Sequence, residues 1–179
     1  TIYDSADSER VMKNILKDLD MDEKTFPPKY VLAAISKEKD KQVSPRQMRA
    51  EAEESGNLKA KYISGAYEKY QAQLRENNAL DFDDIICLTV ELLQKHEDVR
   101  RYYQQKFRYL LVDEYQDTNH MQYLLTALLA GGRENICVVG DDDQSIYRFR
   151  GATIENILDF EKQYPRCRTI RLEQNYRST

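Results

Sequence analysis

Apolar positions in the first eighty residues recur at intervals of three and four, the spacing that lines one face of an α-helix. Val11, Met12, Ile15, Leu16 and Leu19 follow Ser8, which predicts a helix capped at that serine. Pro27 and Pro28 break the chain, and Val31, Leu32 and Ile35 mark a short second helix. Lys37–Lys41 reads as a charged linker, and Pro45 suits the first turn of a third helix. Farther on, Tyr62, Ile63, Ala66, Tyr67, Tyr70 and Leu74 share one helical stripe, which usually means a core face. Asp81 then caps a strongly amphipathic helix carrying Phe82, Ile85, Ile86, Thr89, Leu92 and Leu93.

From Phe107 the pattern changes. Tyr109–Val112 and Ile136–Val139 are short unbroken apolar runs, the mark of strands covered on both faces, and Thr169–Leu172 predicts a third. Met121–Ala130 reads as a helix stopped by Gly131 and Gly132, and Ile154–Phe160 as another, capped by Thr153. Strand, helix, strand, helix, strand is the order of a parallel α/β sheet, whose ligands bind beyond the carboxyl ends of the strands.

Composition changes this picture in three ways. The 179 residues carry 27 basic and 31 acidic side chains, a net charge of −4, which at first argues against nucleic acid as a partner. Ten of the fourteen basic residues before position 81 are lysine, whereas ten of the thirteen after it are arginine. That switch fits phosphate recognition in the second half, although chance in a short chain gives the same count. Cys87, Cys137 and Cys167 lie far apart, which favours a reducing, cytoplasmic setting with buried thiols over a zinc site or disulfides. No apolar run reaches the ~18 residues a membrane span needs.

Candidate chemistry gathers at the strand ends. The first run leads into Asp113–Glu114, a pair able to hold magnesium and polarise water, although acids often follow strands for no such reason. The second leads into Gly140–Gly151, where Asp141, Asp142 and Asp143 precede Gln144, Tyr147, Arg148, Phe149 and Arg150. A calcium loop is excluded because Ile146 stands where the turn needs glycine. Rings beside arginines suit single-stranded nucleic acid, and a packed loop with internal Asp–Arg pairs is the plain alternative. The third run leads into Tyr176–Arg177, which suits a stacked purine and a phosphate.

Taken together, Val112–Asn119 resembles the Walker B motif (motif II) of the UvrD/Rep/PcrA group of superfamily 1 DNA helicases, most of all the PcrA type. Gly140–Ala152 is similar to their motif III and Leu172–Ser178 to their motif IV, while Leu80–Ile85 matches a stretch the family carries ahead of the first strand. The resemblance implies an α/β fold: a helical 1B-like subdomain over 1–106, with 81–106 free to pack on the rest, and part of a RecA-like sheet over 107–179. It implies ATP and Mg²⁺ as cofactors, with Asp113 and Glu114 at the metal and Glu114 as the base for water. Gln144 would sense the γ-phosphate, Tyr176 would stack on adenine, and Arg177 would act as an arginine finger. Tyr147 and Phe149 would stack on bases, with Arg150 bracing their loop; Phe149 stands where this type usually has tryptophan.

None of the six glycines is followed by lysine, so the chain has no phosphate-gripping Gly-Lys-Ser/Thr loop. The reading is an internal slice of a 3′→5′ translocating helicase, inactive as an ATPase alone, whose partners are single-stranded DNA, the single-/double-strand junction and the rest of the motor. DNA repair and replication are the processes such motors serve. The missing P-loop strand would leave an open sheet edge, closed by a shifted last strand or by self-association. A non-catalytic DNA-binding or protein-docking module is the alternative. A metal nuclease or phospho-acceptor domain explains the acids but not Gln144, Phe149 or Tyr176–Arg177.

Overall fold

The computed structural model describes residues 1–141 and 159–171. Its first helix, α1 (Ser5–Asp18), begins one turn earlier than Ser8. The Asp4 carboxylate accepts from the Asp7 N–H at 2.8 Å and caps the helix, while Ser8 is buried inside it. An ionised acceptor at the positive end of the helix is the stronger cap. The next helix, α2 (Pro28–Asp40), runs straight through the expected charged linker. It does so because Lys39, only 4% exposed, is drawn inward by two carboxylates from another helix.

Ser44 and Gln47 form a reciprocal capping box at the start of α3 (Pro45–Glu54), with Pro45 in the first turn. Asn57 caps α4 (Leu58–Glu76), the longest described helix. Its inward stripe of Ile63, Ala66, Tyr67, Tyr70 and Leu74 packs on Met12, Ile15, Leu16, Val31 and Ile35 to make the main core. Tyr62 is not part of that stripe: it is 56% exposed and meets only the edge of the core, through the Phe26 ring. Each fully buried aliphatic of this kind contributes about 1.5–3 kcal/mol.

Asp81 and Asp84 form the capping box of α5 (Phe82–Lys95), which is followed by α6 (Glu97–Lys106). Then β1 (Leu110–Val112), a 3₁₀ turn at Tyr115–Asp117, α7 (His120–Ala130) and β2 (Ile136–Val138) make a parallel strand–helix–strand unit. Leu110 pairs with Ile136 and Val112 with Val138. Both α5 and α6 pack on α7, and the Asp40 carboxylate at the end of α2 accepts from the Met121 N–H at 3.0 Å. The fold is mixed α/β, mostly helical.

Three expectations for the second half change. Residues 169–171 are not a strand, and Ile170 is 71% exposed; an apolar run becomes a strand only where a neighbour completes its backbone hydrogen bonds. Of the helix expected at 154–160, positions 154–158 lie outside the described residues, and the described turn is α8 (Phe160–Gln163). The strand pair is covered on one face only among the described residues. Leu111 is 80% exposed and Cys137 is exposed beside it, so the thiol expected to be buried lies on the open face.

The thiols should therefore react very differently. Cys87 donates to the Lys39 carbonyl at 3.6 Å, and burial pushes its thiol up to about 12. Only about one part in 10⁴ is thiolate at pH 8, so alkylation followed by peptide mass spectrometry should label Cys137 well before Cys87.

Candidate functional site

At the carboxyl end of β1 the chain turns sharply while staying tied to β2. The Val139 N–H donates to the Val112 carbonyl at 2.8 Å, and the Tyr115 N–H donates to the Val139 carbonyl at 2.9 Å. Asp113 and Glu114 occupy the two positions between these ties, and both are exposed. Asp113 Oδ1 accepts from the Glu114 N–H at 2.9 Å.

Glu114 has φ 49° and ψ 42°, the left-handed region that side chains with a Cβ seldom enter. Four other described non-glycine residues have positive φ: Asp20, Gln42, Asn78 and Glu134. Asp20, Gln42 and Asn78 each follow the C-cap of a helix, where a left-handed residue is ordinary, and Glu134 lies in the connection between α7 and β2. Glu114 lies just past the carboxyl end of a strand, where the conformation costs about 1–3 kcal/mol and persists only if its surroundings hold it.

Gln116 supplies much of that hold. Its side chain is 1% exposed; Nε2 donates to Glu114 Oε2 at 2.7 Å, and Oε1 accepts from the Asp141 N–H at 3.0 Å. The turn beneath is closed by Asp117 N–H to the Glu114 carbonyl at 2.9 Å and by Thr118 Oγ1 to the Tyr115 carbonyl at 2.7 Å. Tyr115 anchors it from below, edge-on to Phe160 at 5.7 Å, with its hydroxyl pushed up to about 12 by burial. Sequence reasoning assigned Gln116 no role. Its only signal was an amide two residues after the acidic pair.

The structure thus brings Asp113 and Glu114 together at the end of β1 and places Asp141, at the end of β2, against Gln116. The expected residues Gln144, Tyr147, Phe149, Arg150, Tyr176 and Arg177 lie outside the described residues.

A second polar group, absent from the sequence reading, lies under α5. Lys39 Nζ donates to Asp81 Oδ2 at 2.7 Å and Asp84 Oδ1 at 2.8 Å, and it stands 5.5 Å from the centre of the Tyr70 ring. Gln71 Nε2 adds a 2.9 Å hydrogen bond to Asp84 Oδ1. These acids sit in the Leu80–Ile85 stretch, and their work is structural: they cap α5 and fasten it to α2 and α4.

A family model described as the UvrD/REP helicase N-terminal domain matches residues 1–165. The chain belongs to that family. It is 49% identical over 186 residues to ATP-dependent DNA helicase UvrD1 of Mycobacterium tuberculosis (strain ATCC 25618 / H37Rv), covering 100% of this chain and 24% of that protein. It is also 49% identical over 179 residues to ATP-dependent DNA helicase PcrA of Staphylococcus aureus (strain NCTC 8325 / PS 47), again 100% of this chain and 24% of the relative. The chain thus spans about a quarter of the length of these UvrD/REP relatives. At equal identity, neither type is favoured over the other. The description that these similarities give for this chain is the family's N-terminal domain.

Proposed function

We propose that the protein to which this chain belongs is an ATP-dependent helicase that moves 3′→5′ along single-stranded DNA and opens duplex at the junction. The observation that carries the reading is the acidic pair at the end of β1, with Glu114 held in a strained backbone by a buried amide. Such strain gathers where a side chain must be aimed.

Asp113 offers an exposed carboxylate, the hard oxygen ligand Mg²⁺ accepts alongside nucleotide phosphates. Bound there, the ion would neutralise charge on the phosphates. Glu114 is the second acid at the ion and the base that orients water toward the γ-phosphate. Gln144 contacts that phosphate, Tyr176 stacks on adenine, and Arg177 stabilises charge on the transferred group. Tyr147 and Phe149 stack on DNA bases with Arg150 beside them. In this reading 1–106 form the helical 1B-like unit and 107–179 the α/β part, and the packing of α5 and α6 on α7 supports a close seat for 81–106.

No helix among the described residues is long and apolar enough to cross a membrane, and the proposed setting is the cytoplasm. Among the described residues β2 pairs with β1 alone, which supports self-association of the isolated chain through the other edge. The isolated chain, without a phosphate-gripping loop, is inactive as an ATPase in this reading.

The test is ATP hydrolysis by the full-length protein with and without single-stranded DNA, together with DNA binding across a salt series. Turnover should rise on adding DNA. Phe149→Ala should weaken binding about 5–150-fold with the salt slope unchanged, the size of one lost base stack. Arg150→Ala should reduce the slope by about 0.7 if it meets phosphate. Turnover indifferent to DNA would count against the helicase reading.

A further inference from the structure

We infer that Gln116 is a positioning residue that couples the Glu114 carboxylate to the backbone at Asp141. The inference rests on the proposed role of Glu114 and adds a residue to that site.

The two partners of Gln116 dictate which way its amide faces. An ionised carboxylate only accepts, so the group 2.7 Å from Glu114 Oε2 is the NH₂; a backbone N–H only donates, so the group 3.0 Å from Asp141 N is the carbonyl oxygen. No other neutral side chain carries a donor and an acceptor side by side at this length. Glutamate has the length without the donor, and leucine has the volume without either group. The amide itself is buried, while its two partners lie nearer the surface.

The link is also short of slack. Gln116 sits on a 3₁₀ turn fixed at Tyr115, Asp117 and Thr118, so its backbone cannot follow a moving partner. If the Glu114 carboxylate shifts toward a water or a phosphate, the amide follows it or breaks from it. In either case the hydrogen bond at Asp141 changes. Asp141 opens the segment that carries Gln144, Tyr147, Phe149 and Arg150. One amide therefore joins the group that handles water to the start of the segment assigned to DNA.

The experiment uses the full-length protein and compares Gln116→Glu, Gln116→Leu and Glu114→Gln with the parent. For each, kcat and KM for ATP are measured with and without single-stranded DNA, and the thermal midpoint is recorded. Gln116→Glu keeps the acceptor for Asp141 but loses the donor to Glu114, so kcat should fall about tenfold with KM for ATP little changed. Gln116→Leu loses both groups, so kcat should fall about tenfold and stimulation by DNA should drop toward one. If one variant fails to fold, the other still decides.

A purely structural role would lower the thermal midpoint and leave kcat, KM and the stimulation ratio of the folded enzyme where they were. That result overturns the coupling. An inactive Glu114→Gln beside Gln116 variants with parental kcat and stimulation overturns the coupling alone. Parental turnover in Glu114→Gln overturns the base assignment and the coupling with it.

Discussion

Lys39→Met should cost the chain about 3–5 kcal/mol, the usual penalty for removing one partner of a buried ion pair. Methionine keeps the length and most of the volume, so the loss is electrostatic rather than a cavity. Lys39 is the cation between Asp81 and Asp84, and all three residues are buried. Without it, two carboxylates of one capping box face each other, held by the Gln71 amide and their mutual cap N–H groups. The damage should spread, because the same triad fastens α5 to α2 and α4. Urea unfolding reads the loss directly, and for a chain of this size the thermal midpoint should fall roughly 6–20 °C. Lys41→Met is the control: its ammonium pairs with Glu38 in the open at 3.0 Å, and its loss should cost less than about 1 kcal/mol. Equal effects of the two substitutions would mean that the buried triad is not a closed network.

Glu114→Gln should lower DNA-stimulated ATP turnover of the full-length protein about 10²–10⁴-fold, the usual contribution of a positioned general base. The substitution is nearly isosteric. The new carbonyl oxygen still accepts from Gln116 Nε2, and the backbone hydrogen bond to Asp113 is untouched. Geometry is kept while proton affinity is lost, so binding of ATP and of single-stranded DNA should stay near parental values. Single-turnover hydrolysis and nucleotide binding measured on the same sample separate the two effects. A parallel fall in nucleotide affinity would put the larger part of Glu114's work at the ion and not at the water.

Local sequence carried much of the helical half, because capping and periodicity are local physics. Pro45 and Asp81 announce α3 and α5 where they start, and the stripe from Ile63 to Leu74 marks α4. The reading failed where the deciding partner is far along the chain. Lys37–Lys41 looks like a solvated linker until Lys39 meets acids 42 and 45 residues away. Residues 169–171 have strand-like composition but no neighbouring strand to pair with among the described residues. At the site, the acidic pair was legible as chemistry, while the left-handed Glu114 and the two-ended grip of Gln116 were not. They arise from the hydrogen bonds between the turn after β1 and the end of β2, which no window of one segment contains.

The chain's first residues have a consequence for how the helical half is attached. Thr1 N donates to the Asn78 carbonyl at 2.8 Å, Leu80 N–H to the Thr1 carbonyl at 2.9 Å, and Tyr3 N–H to the Leu80 carbonyl at 2.8 Å, so Ile2 runs parallel beside Leu80. The bridge sets the two ends of the α1–α4 segment side by side, and the ion pairs of Lys39 to Asp81 and Asp84 fasten that segment to α5 at a second place.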